Sequence, residues 1–228
     1  MVTATATRTG SAIGRLAGLG GVGFAVIVGV ENAVLPRPPD FDASGEEVLR
    51  WIHDHHALVA SIVASFAITA VCLAAFIGGF VVRAFRDENV ETRVFALIGA
   101  FGAVLIGAWF ALVIISQLLL LGLDGSPNAT PAMAELVWNL HTAAFTVNVV
   151  AIGIAAFGVA GAAVRMGLAP SWYRPLSFVA LAAAIATTMQ SSSAVNGGAG
   201  WQIGLVSFVS WLLLLAIVGV RMVREPVS

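Results

Sequence analysis

Apolar residues run almost without interruption for stretches long enough to cross a bilayer, and polar and charged residues gather in the short segments between them. Six such runs lie at about 14–35, 57–82, 94–122, 137–164, 176–195 and 202–220. A helix needs roughly 20 apolar residues to span the hydrocarbon core. Backbone facing lipid must satisfy its own hydrogen bonds, so each run is expected to be helical. The expectation is an all-α polytopic membrane protein, a six-transmembrane-helix bundle forming a single membrane domain over residues 1–228.

Local signals refine the segment between the first two runs. Pro36, Pro38 and Pro39 stop the first helix, and Ser44 followed by Glu47 reads as a capping box. That box should start a helix carrying Trp51 and His53 into the second run. Before the fourth run, Thr130 is a cap residue with Pro131 at the first helical position, which places Glu135 to His141 on a helix.

Composition decides the solvent. Of 228 residues 59% are hydrophobic and 10% charged, too little polar surface for a soluble fold. The net charge of −1 conceals an asymmetry. Arg8, Arg15, Arg83, Arg86, Arg93, Arg165, Arg174, Arg221 and Arg224 fall on one side of the six runs, and only Arg37 and Arg50 on the other. The second side also carries Asp40, Asp42, Glu46, Glu47, Asp54, Asp124 and Glu135. The positive-inside rule then predicts both termini in the cytoplasm and a multi-pass protein of the inner (plasma) membrane. Trp51, Trp138 and Trp201 sit at expected outer boundaries, and Trp172 with Tyr173 at an inner one. The first run is too long for a leader peptide and reads as a retained helix.

Some chemistry is excluded. The single cysteine, Cys72, rules out an internal disulfide or a cysteine-based metal cluster. Gly18, Gly20 and Gly23 spell a G-x-G-x-x-G, but no strand precedes it and the segment enters the membrane, so dinucleotide binding is rejected. Gly10, Gly14 and Gly18 at four-residue spacing, with Gly99/Gly102 and Gly158/Gly161 at three, point to close helix packing.

All four histidines fall on the predicted outer side. His53, His55 and His56 head the second run, and His141 heads the fourth. His53 and His56 share a face at i, i+3, so two imidazoles can chelate, with His141 and Glu31 as further candidate metal ligands. A metal ion or a single haem is the cofactor such a set would hold. Asp54 is the candidate to orient an imidazole, and Glu31 with Asp54 are the candidate acid and base. Trp51, Trp138, His141, Phe145 and Asn148 are the candidate ligand contacts; His141, Phe145 and Asn148 share one stripe descending from the outer face. Against these stands the plainer reading of interfacial histidines that meet only water and headgroups. Ser116, Gln117, Thr142, Thr146, Thr187, Thr188, Gln190 and Ser191 should face inward, with hydrogen bonds between helices as their ordinary role.

Arg15-Leu16-Ala17-Gly18-Leu19, the acidic first outer loop and the arginine-bearing inner loops resemble a family of bacterial six-helix membrane proteins without an assigned activity. The absence of lysine and the abundance of alanine, valine and glycine resemble proteins of GC-rich, actinobacterial-like bacteria. The resemblance implies the six-helix topology and carries no catalytic residue.

Three functions compete. The favoured one is a membrane-embedded protein that binds or processes a lipophilic small molecule in a polar, His-rich outer pocket. A small-solute transporter or channel is disfavoured by the scarcity of charge within the spans and of polarity in the inner half. A non-catalytic scaffold would use the glycine-rich helices to hold a membrane-protein partner or a second copy in a homo-oligomer. Nucleic acid is excluded as a partner, because the arginines are spread as topology signals.

Overall fold

The computed structural model describes residues 3–190 and 200–225. Ser191 and the end of the predicted fifth run lie outside the described residues, as do the side chains of Arg8 and Trp201. Among the described residues every regular element is an α-helix: α1 Thr3–Val34, α2 Gly45–Phe85, α3 Val90–Leu123, α4 Pro131–Arg165, α5 Tyr173–Met189 and α6 Gly200–Arg224. Five are long and apolar enough to cross a membrane, and α5 is a shorter apolar helix. The chain is therefore a multi-pass membrane protein.

Helix α4 is the most buried of these candidate spans and packs against α2, α3, α5 and α6, while α1 packs on α2 and α6. The α3–α4 contact is the most extensive, and its sequence cause is plain. A Cβ on Gly99 would lie 2.8 Å from the Val159 amide nitrogen, and one on Gly102 would lie 2.7 Å from the Ala155 Cα. Lipid tails supply no hydrophobic drive between helices, so close backbone approach through small residues supplies van der Waals contact instead. Gly18 does the same between α1 and α6, where a Cβ would meet the Gly219 carbonyl oxygen at 2.5 Å.

The helix ends follow their local signals. Ser44 and Glu47 form the reciprocal capping box of α2, and Thr130 caps α4 ahead of Pro131. At the other end of α4 the amide of Leu168 donates to Ala163 O (2.8 Å) and that of Gly167 to Val164 O (3.2 Å). Gly167 supplies the positive φ of 71° which that turn requires, and Leu168 is buried beneath it.

With 41 residues, α2 is about 60 Å long at 1.5 Å per residue, twice the hydrocarbon thickness. Its head therefore projects past the bilayer. Val48, Ile52 and Val59 of that head pack on Leu120 of α3 and on Ala134 and Trp138 of α4, forming a second apolar cluster apart from the main core. The arginine-rich helix ends assemble at the opposite end, where Arg83 Nη1 donates to Glu225 O (2.7 Å) and Arg165 pairs with Glu91 (2.5 Å).

The threonines answer differently from the expectation. Thr142, Thr146, Thr187 and Thr188 donate to carbonyls of their own helices three or four residues back. Gln190 is exposed. Cross-helix polar contacts come instead from His141 to Ser116, Ser207 to Ala180 O and Ser65 to Glu31.

Candidate functional site

At the α2 head, His55 departs from helical geometry (φ −122°, ψ 17°) and kinks the helix. Its Nδ1–H donates to Trp51 O at 2.8 Å, the acceptor a regular helix reserves for the amide of residue 55, so a side chain enters the ladder at the bend. On either side of the kink His53 and His56 reach one carboxylate, that of Asp124 at the C-terminal cap of α3. His53 Nδ1 lies 3.0 Å from Oδ1 and His56 Nδ1 lies 2.7 Å from Oδ2. An ionised carboxylate only accepts, so both rings carry a hydrogen on Nδ1 and turn Nε2 away from it. Partial burial acts to raise the Asp124 carboxyl, but the hydrogen bonds and charge of the two imidazoles outweigh it and hold it below the usual carboxylate range.

The carboxylate that meets the imidazoles is thus Asp124 rather than Asp54, which is exposed. In the sequence Asp124 stands only as one acidic charge of the outer loops. The available signal was its place immediately after an apolar helix antiparallel to the one bearing the histidines.

His141 stands apart from this pair. It is buried in α4, stacked on Trp138 with centroids 4.8 Å apart and planes 7° from parallel. Ser116 Oγ donates its one proton to Val113 O (2.6 Å), so the 3.0 Å contact between Ser116 Oγ and His141 Nδ1 is made by the imidazole hydrogen. Nε2 of His141 is then an acceptor. Two turns deeper Asn148 is buried, and its Oδ1 has no hydrogen-bond partner among the described residues.

Residues 36–44 form a strap over this stack. Trp138 Nε1 donates to Asp40 O (3.0 Å), Trp51 Nε1 donates to Arg37 O (3.1 Å), and Phe41 meets Phe145 edge-on at 6.3 Å. Of the expected contacts, Trp51, Trp138 and Phe145 each meet this short segment, and His141 is joined to it through its stack on Trp138. Trp138, expected at the outer boundary, is buried within the bundle with its indole satisfied by the strap.

Glu31 is engaged elsewhere, accepting from Ser65 between α1 and α2, and no contact joins it to Asp54. The five candidate metal ligands are therefore divided among four partners, with only His53 and His56 sharing one, Asp124. Among the described residues no group of three or more His, Cys, Asp or Glu side chains is arranged to hold a metal ion. Comparison with protein-family models, curated proteins and solved structures gives no match.

Proposed function

We propose that the chain crosses the plasma membrane six times with both termini cytoplasmic, and that its outer end binds a lipophilic small molecule beneath the 36–44 strap. The observation that carries this reading is the His141–Trp138 stack, buried in the bundle and tied through the Trp138 indole to a short segment that also accepts from Trp51. Phe41 of the strap meets Phe145, one turn below His141 on the same stripe, edge-on at 6.3 Å, an apolar contact that a ligand's apolar body would replace. On that stripe His141 Nε2, the polar atom nearer the strap, accepts, while deeper Asn148 offers Oδ1 as an acceptor beside its Nδ2 donor. The ligand is accordingly an apolar body with one hydrogen-bond donor, of the lipophilic alcohol or phenol class.

Binding is favoured over transport by what lies deeper on the same stripe. Below Asn148 come Ala151, Ile152, Ala155 and Val159, all buried, the last two facing Gly102 and Gly99. That packing gives a solute no way through along this face.

The test compares 4-octylphenol with octylbenzene, which lacks the donor, by thermal melting of the detergent-purified protein. Octylphenol should raise the melting temperature more than octylbenzene, and His141→Phe should abolish the difference. Equal shifts in the wild type would reduce the stack to packing and leave the scaffold reading.

A further inference from the structure

At the opposite end of the bundle lies an open groove of about 380 Å³, lined by Val90, Glu91, Val94, Phe95, Arg165 and Arg174. We propose that it holds the phosphate of an anionic glycerophospholipid. The inference is independent of the strap-covered site.

Arg165 is fixed in place and shares the groove with Glu91, which a phosphate would have to displace. Its guanidinium lies 4.6 Å from the Phe95 ring centroid, donates to Gly161 O at 3.0 Å and reaches Glu91 Oε2 through Nε (3.2 Å) and Nη2 (2.5 Å). Glycine at 161 is what admits Phe95, whose ring carbons occupy the space of a Cβ. Arg174 opens α5 from an exposed position. Two guanidiniums against one carboxylate leave one positive charge, which matches the single negative charge of a phosphodiester.

A second feature selects a lipid over free phosphate. From the groove, Val94, Leu97, Phe101 and Val104 follow i, i+3, i+7, i+10 along α3, and all are roughly half exposed or more. They form an apolar track for an acyl chain running from the guanidiniums toward the hydrocarbon. Trp172, 54% exposed and stacked on Tyr173, marks the same end as headgroup level. Basic pockets between helices at this depth suit anionic headgroups.

The experiment uses the full chain in neutral detergent. Thermal melting is followed with dioleoylphosphatidylglycerol, dioleoylphosphatidylcholine or inorganic phosphate, and native mass spectrometry counts retained phosphatidylglycerol. Wild type and the exposed-arginine control Arg224→Gln should be stabilised by phosphatidylglycerol alone. Arg174→Gln should retain at least about threefold less of it, since a surface guanidinium contributes little to folding. Glu91→Gln, which frees Arg165 from its competitor, should retain more. Equal retention in Arg174→Gln and wild type, equal effects of phosphatidylcholine, or stabilisation by inorganic phosphate alone would each overturn the proposal.

Discussion

Every histidine of the chain has Nδ1 engaged: by Asp124 for His53 and His56, by a backbone carbonyl for His55 and by a serine hydroxyl for His141. The type and position of these residues were legible in the sequence; their partners were not, because an imidazole takes whichever polar atom the fold brings within 3 Å. His53 and His56 are 76% and 49% exposed while Asp124 is 15% exposed. Pairs so open to water contribute about 0–1 kcal/mol, so the bridge fixes the α2 head in register more than it stabilises the protein. The Asp124 carboxyl is depressed in the fold. Its contribution is therefore complete above the unfolded value, near 4, and is lost as pH falls through the lower folded one. Hydrogen exchange over residues 45–56 should thus accelerate in the wild type, relative to Asp124→Asn, only below about pH 4.

The elements respond to substitution according to what holds them. Inside the bilayer that is close contact. Gly99→Ala would press a Cβ 2.9 Å from Val159 Cγ2 and should cost about 1–3 kcal/mol, seen as a lower melting temperature in a fixed detergent. Gly107→Ala, where a Cβ meets nothing within 4 Å, should leave melting unchanged. At the α2 head, beyond the hydrocarbon, the hydrophobic effect operates again. Ile52, 1% exposed, should cost about 2–5 kcal/mol as alanine, with early loss of protection in α2 before α3 and α4. The caps at Ser44 and Thr130 were readable because they depend on neighbours within three residues. The kink at His55 was not, since a lone histidine in a helical run carries no breaking signal.

At the scale of the whole molecule, the arginine-rich helix ends meet at one end and the strap, the histidines and the acidic loop at the other. The proposed orientation is checked by single cysteines in a Cys72→Ala background. Residue 42 should react with an impermeant maleimide in intact cells, and residue 88 only after permeabilisation; the reverse pattern would invert the topology.

The sequence by itself determined that the chain is helical and membrane-embedded, because uninterrupted apolar length and internally satisfied backbone are properties of single segments. It also indicated which residues stand at each helix end. Only the tertiary structure decided that Asp124 meets His53 and His56, that Trp138, stacked on His141, is tied to a strap, that the threonines bond within their own helices, and that Arg165 and Arg174 border one groove. Those outcomes depend on how helices distant in sequence are rotated and shifted against one another. That alignment is set by small-residue contacts such as Gly102 with Ala155, whose partners no local pattern specifies.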